Sequence, residues 1–179
     1  MKVPSTPKES ILNTIKSVTD IVETYEHRDQ FTVTVPKADI LAAIKSLKDS
    51  PELQFNNLVD ITAVDWYKEE GRFQVVYILY SIPKKWRVRL KASVELDDCQ
   101  IDSVTPVFEC ADWYEREVYD MYGIKFDDHP DMRRFYMPED FDDPETGEPL
   151  YPLRKDFPLM GVPGSMPLPP YPEKYGEPN

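Results

Sequence analysis

Arg72-Phe73-Gln74-Val75-Val76-Tyr77-Ile78-Leu79-Tyr80 is the most strongly β-forming run in the chain. Its β-branched and aromatic side chains suit a pleated surface with neighbours on both edges, which predicts a central strand. The segments on either side extend a sheet from it. Leu58 to Trp66 is again β-branched and apolar, and Lys68-Glu69-Glu70-Gly71 predicts a hairpin loop with Gly at the turn. Trp86 to Val94 alternates, with Trp86, Val88, Leu90 and Ala92 on one face and Arg87, Arg89 and Lys91 on the other. A basic row opposite an apolar row is what a half-exposed strand presents to water, so it reads as a solvated sheet face. Ile101 to Val107, after the Asp97-Asp98 turn, is expected as a fourth short strand.

Upstream, residues 6 to 27 predict one helix. Thr6 suits the N-cap, Pro7 the first helical position, and Glu9 can reach back to the cap. Ile11, Ile15, Val18, Val22 and Tyr25 then draw one apolar stripe. A strand is expected from Phe31 to Val35, stopped by Pro36, and a second helix from Ala38 to Lys48 with Ile40, Leu41, Ile44 and Leu47 on one face. The order is helix, strand, helix, three or four strands, helix. It implies an α+β fold of ferredoxin-like kind: a mostly antiparallel sheet with helices on one face. That domain is expected to span residues 1–126, with 127–179 as an extended arm.

A length of 179 residues suffices for one such core. The formal charge of −12 argues against nucleic acid as a partner and against direct docking on an anionic membrane. Val75 to Tyr80 is the longest strongly apolar run and is too short to cross a bilayer. No secretory signal or Arg-rich transit segment is expected at the start. Cys99 and Cys110 give no disulfide framework, and reduced thiols are expected.

Downstream, Trp113 to Ile124 reads as a capped and stopped helix. Asp112 can cap it with Glu115 completing a capping box. Tyr114, Val118, Met121 and Tyr122 form its apolar stripe, Arg116 and Asp120 stand four apart and can pair, and Gly123 fits the left-handed stop with Ile124 folding back on Tyr119. Glu117, Asp127, Asp128, His129, Asp131, Arg133 and Arg134 crowd the same region. One histidine among acids lacks the paired spacing of a zinc site or a calcium loop. No nucleophile or phosphate loop stands near Glu117 or His129. An ion-pair network that fixes the exit of the chain is the more economical reading, and at an interface it would supply orientation. Residues 127–179 hold 12 of the 18 prolines together with Phe135, Tyr136, Phe141, Tyr151, Phe157, Tyr171 and Tyr175. Disordered tails are poor in aromatics, so these residues predict an arm lying on a surface, a partner's ahead of its own domain's.

Three stretches carry a family resemblance: Glu115-Arg116-Glu117-Val118-Tyr119-Asp120-Met121-Tyr122-Gly123-Ile124, His129-Pro130-Asp131-Met132-Arg133-Arg134 and Pro152-Leu153-Arg154-Lys155-Asp156-Phe157-Pro158. With Leu58 to Asp65 and Arg72 to Tyr77 upstream, they resemble the C-type subunit of the proton-pumping NADH:quinone oxidoreductase, respiratory complex I. Phe135-Tyr136 stand where aliphatic residues are usual, and the link from Asp140 to Tyr151 is longer than the family's. The resemblance implies a non-catalytic subunit of the hydrophilic arm, on the cytoplasmic face of a bacterial inner membrane or, second, the mitochondrial matrix face. It implies no catalytic, cofactor or metal residue here, with FMN, iron–sulfur clusters and quinone held by neighbours. It implies packing on the neighbour that shapes the quinone pocket and on a cluster-bearing neighbour, with membrane contact only through the complex. Glu115, Arg116, Glu117, Asp120, Gly123, His129, Pro130, Arg133, Arg134, Arg154, Lys155 and Asp156 become the structural and interface residues. An equivalent subunit of a membrane-bound hydrogenase or a ferredoxin- or F420-linked oxidoreductase is the second expectation. A metal-dependent enzyme using Asp127, Asp128, His129 and Asp131 is a remote one.

Overall fold

The computed structural model describes residues 7–158. Its elements in chain order are α1 (Lys8–Lys16), β1 (Glu23–His27), β2 (Gln30–Thr34), α2 (Ile40–Asp49), β3 (Asn57–Asp65), β4 (Phe73–Ser81), β5 (Trp86–Val94), β6 (Gln100–Asp102), α3 (Ala111–Tyr122) and β7 (Lys125–Asp127). The strongly β-forming run supplies β4, which is interior to the sheet: β3 pairs with it on one side and β5 on the other, both antiparallel. The strand order is β1-β2-β5-β4-β3, while β6 and β7 form a separate parallel pair. Phe73, Val75, Tyr77 and Leu79 of β4 and Val88, Leu90, Ala92 and Val94 of β5 are buried. They share one core with Ile11 and Ile15 of α1, Ile40, Ala43, Ile44 and Leu47 of α2, and Ala111 and Val118 of α3. The helices therefore cover one face of the sheet, as the alternation in β5 predicts.

The fold is α+β, but its strand order is not ferredoxin-like. A split βαβ unit has one strand between its two parallel members. Here β2 and β3, joined through α2, are separated by two, because β3, β4 and β5 run as a meander and β5 then pairs parallel with β2. The sheet is mixed, with that single parallel pairing among antiparallel ones.

The helix expected over residues 6 to 27 is also corrected. Only Lys8–Lys16 is α-helical, its Pro7 boundary carries no side-chain cap bond, and Thr6 lies outside the described residues. Residues 23–27 are instead an edge strand, and Val18, Val22 and Tyr25 are exposed. Two local causes compete with the 3.6-residue period. The Ser17 hydroxyl bonds back to the Thr14 carbonyl and the Thr19 hydroxyl donates to Asp39 Oδ2 at 2.7 Å, ending the helix in side-chain bonds. Arg28 and Asp29, at φ 49° and 62°, then close a two-residue hairpin between paired His27 and Gln30. The fourth strand is shorter than expected, because after Asp102 the Val104 N–H leaves the ladder for a side chain of α3.

The corrected packing makes a paired prediction. Leu90→Ala is expected to lower stability by about 2–5 kcal/mol, the usual cost of a cavity in a closed core. Val22→Ala, at an exposed position, should stay within about 0.5 kcal/mol of the parent. Urea denaturation of both variants decides it; a large loss for Val22→Ala would restore the long helix.

Candidate functional site

α3 ends at Gly123, whose φ of +76° is the left-handed conformation that glycine adopts without strain. Its N–H bonds to the Tyr119 carbonyl at 2.8 Å. The last carbonyls of a helix need donors from elsewhere, and the arm supplies them. Leu153 N–H donates to the Met121 carbonyl at 3.1 Å, and Arg154 Nε to the Tyr122 carbonyl at 2.5 Å. Arg154 thereby puts a cation at the negative end of the helix, with its guanidinium 4.3 Å from the Tyr151 ring and 5.2 Å from Phe73. A Cβ at position 123 would stand 2.5 Å from Arg154 Nη2 and 2.6 Å from the Tyr151 ring, so space as well as φ demands glycine.

Asp120, fully buried, is the second anchor. Its Oδ1 accepts Arg134 Nη1 at 3.0 Å, and its Oδ2 accepts the N–H groups of Phe135, Tyr136 and Met137 at 3.3, 2.8 and 2.9 Å. Arg134 also donates to the Leu150 carbonyl and lies over Tyr151. The expected Arg116–Asp120 pair is therefore replaced. Arg116 instead donates from Nε to the Arg133 carbonyl, while the Arg133 side chain is exposed and pairs with Asp131.

A third anchor lies at the end of β3. Asp65 and Arg72 are buried and paired, Nη2 to Oδ2 at 3.1 Å. Arg72 also meets Asp156 at 2.7 Å, and the Lys155 backbone N–H donates to Asp65 at 2.9 Å. Burial pushes the Asp65 carboxyl up, but bonds from Arg72, Lys155 and Tyr67 outweigh it and hold it below the usual range. Asp65 and Arg72 were missing from the sequence-derived set. The signal was parity: Ile61, Ala63 and Asp65 point to one face of β3, so the last puts a charge where the core lies.

Glu115 does not cap its own helix. It is fully buried, and its carboxyl accepts the Val104 N–H and bonds the Ser103 hydroxyl, both at 2.7 Å. Asp112 likewise makes no cap bond, and the helix boundary falls at Cys110. Burial pushes the Glu115 carboxyl up to about 7. The protonated form has a place for its hydrogen, since Ser103 Oγ can accept it and pass its own to Thr105 Oγ1 at 2.7 Å. His129 packs beside this group with its ring fully covered, Nε2 being 3.9 Å from Glu115 Oε2. Its Nδ1 accepts the Asp131 N–H, and its Nε2 lies 3.2 Å from the Asp112 carbonyl and 3.3 Å from Asp112 Oδ1. Pro130 is exposed in that turn, and Glu117 is exposed on α3. His129 turns inward while Asp127, Asp128 and Asp131 face solvent, and among the described residues no group of three His, Cys, Asp or Glu converges as metal ligands.

The expectation that the arm leaves its domain is corrected for its first part. Residues of the 128–158 segment bind Asp120, the end of α3 and Asp65, because those groups present acceptors that the domain itself leaves open. Tyr171 and Tyr175 lie outside the described residues.

Two outcomes follow from these anchors. Arg134→Met, which leaves Asp120 buried without its cation, should cost about 3–5 kcal/mol in urea unfolding; a loss under about 1 kcal/mol would class the pair with surface ion pairs. For Glu115 the folded pKa lies above the unfolded one, so its stabilisation is full below the unfolded value of about 4.3 and fades as pH rises through about 7. Glu115→Gln should flatten the fall in stability between pH 5 and 8, and an unchanged slope would refute the assignment.

The likeness to known proteins covers this same framework. A family model for the respiratory-chain NADH dehydrogenase 30 Kd subunit matches residues 33–163. The NADH-quinone oxidoreductase C subunit of Geotalea uraniireducens is 48% identical over 146 residues, spanning 82% of this chain and 84% of that protein. Its counterpart from Geobacter sulfurreducens is 48% identical over 147 residues, spanning 82% and 85%. Among solved structures, a trypsin-resistant fragment of Nqo5 superposes with a TM-score of 0.58 at 28% identity, covering 69% of this chain and 97% of the fragment. A chain of an archaeal membrane-bound sulfane sulfur reductase superposes with a TM-score of 0.66 at 30% identity, covering 86% of each. By the extent of the family match and of its relatives, this chain belongs to the respiratory-chain NADH dehydrogenase 30 kDa subunit family.

Proposed function

We propose that this chain is a structural, non-catalytic subunit of the hydrophilic arm of an NADH:quinone oxidoreductase, serving assembly rather than electron transfer. The observation that carries the reading is where the signature charges go. Glu115, Asp120, Arg134, Arg154, Asp65 and Arg72 are engaged in bonds that fix the chain's own path. In this reading FMN, the iron–sulfur clusters and the quinone are bound by neighbouring subunits. The donor set agrees, since Cys99 and Cys110 are two where an all-cysteine cluster takes four.

The partners in this reading are the neighbour that shapes the quinone pocket and a cluster-bearing neighbour, met at the cytoplasmic face of a bacterial inner membrane. Among the described residues no helix is long and apolar enough to cross a membrane, so contact with the bilayer would run through those partners. The sulfane sulfur reductase likeness supports a second reading, the equivalent subunit of a related respiratory membrane complex. It stands second because the identity to the NADH-quinone oxidoreductase relatives is higher.

Affinity purification of the tagged chain from its native membranes tests both. The expected outcome is co-purification with flavin- and cluster-bearing subunits and NADH-dependent quinone reduction by the complex, while the isolated chain carries no flavin or iron absorbance. Stoichiometric flavin or iron on the isolated chain would overturn the structural role. A different electron-input subunit in the complex would select the second reading.

A further inference from the structure

Arg116 is a buried cation without an anion. It is 5% exposed, its one hydrogen bond is to the neutral Arg133 carbonyl at 3.2 Å, and among the described residues no carboxylate stands within ion-pair distance of it. Asp120, one turn along α3, does not serve it: its Oδ1 accepts from Arg134 and its Oδ2 from three backbone N–H groups of the arm. Among the described residues the other buried charged ones, Asp65, Arg72, Glu115 and Asp120, all have their partners.

What surrounds Arg116 is aromatic and open to the outside. Its guanidinium is 4.8 Å from the Trp113 ring and 5.3 Å from Phe135, and these two rings meet edge to face at 5.8 Å. Tyr136 packs on Phe135 at 4.0 Å. Trp113 and Tyr136 are themselves 59% and 58% exposed. The rings fix the plane of the guanidinium, while Nε alone is bonded within the chain and the terminal fork, which reaches the surface, has no acceptor among the described residues. A planar fork held between rings matches a carboxylate in two parallel hydrogen bonds. Exposed Trp and Tyr around a central Arg are also the residues that carry most of the energy in protein interfaces.

We propose that Arg116, braced by Trp113 and Phe135, is a preformed receptor for one Asp or Glu side chain of the subunit that packs on this face. The inference rests on the assembly reading above and gives that interface its chemistry. The cost of burying and orienting the cation is met when the chain folds, so the incoming carboxylate gains a charge-assisted pair without it. On a chain of net charge −12, an acidic group is repelled by most of the surface. One cationic receptor therefore also sets where the partner docks.

The test uses the full chain in its complex. With p-benzoylphenylalanine at Trp113, irradiation of the purified complex should crosslink to a peptide of another subunit that contains Asp or Glu. A crosslink confined to this chain, residues 159–179 included, would overturn the receptor. Arg116→Met should lower the yield of assembled complex about tenfold or more, yet leave the melting temperature of the isolated full chain unchanged or higher, since it removes an unpaired buried charge. A fall in melting temperature parallel to the loss of complex would assign Arg116 a purely internal role and defeat the proposal. Arg116→Lys, keeping charge without the fork, should give an intermediate yield. Arg116→Glu should be rescued by Arg at the crosslinked acid. If the parent chain co-purifies with no other subunit, the assembly reading itself fails; if it co-purifies and the crosslink stays internal, only the receptor does.

Discussion

The Asp120 carboxylate is the constraint on which the C-terminal half depends. It stands buried on a helix, and one guanidinium and three consecutive backbone N–H groups converge on it. Leaving such a group unpaired in the interior would cost several kcal/mol, so the 134–137 segment is held wherever α3 is held. α3 in turn is fixed by Val118 and Ala111 in the core and by Glu115 at the Ser103-Val104 turn. The charged signature is thus a relay of position: sheet to helix, helix to arm, and arm back to the sheet at Asp65 and Arg72.

The two faces of the sheet follow from the same economy. One carries three helices and the whole apolar core. The other carries polar side chains, with Ser93 exposed and Lys91 half-buried toward water while Thr32 and Thr34 are buried beside them. The outer edge strand β1 is exposed along its length and carries Glu23, Glu26 and His27, charged or polar groups that discourage pairing with another chain's edge.

The sheet was legible because its signals are local. Alternation in Trp86–Val94 and the β-branched runs of β3 and β4 are properties of neighbouring residues, and the structure places those strands within a residue or so of the expected bounds. Gly123 was legible for the same reason, as a stop after an apolar stripe. The segment after Lys16 was not, because its apolar spacing suits a helix while its β-branched residues and the Arg28-Asp29 turn favour a hairpin, and the open edge of β2 decided the matter. Side-chain pairing was the least legible. Arg116 and Asp120 satisfy the helical spacing rule, but the true partners of Asp120 lie 14 to 17 residues on. Which donor reaches a buried acid depends on how the arm folds back, and no short window of sequence contains that.

The arm contacts that close on Arg72 and Asp65 join residues 84 and 90 positions apart. Such long loops are expensive to close before the rest of the sheet exists. During synthesis the sheet and α3 emerge well before Arg154, Lys155 and Asp156 do, and domains tend to form from the N-terminal side. The arm is therefore the last piece to dock, and the Tyr151–Arg154 seat over Gly123 stays vacant until then. A nascent chain at that stage has a finished sheet and an unfinished clasp, which makes the closing of the clasp a checkpoint between a folded domain and one ready to receive its neighbours.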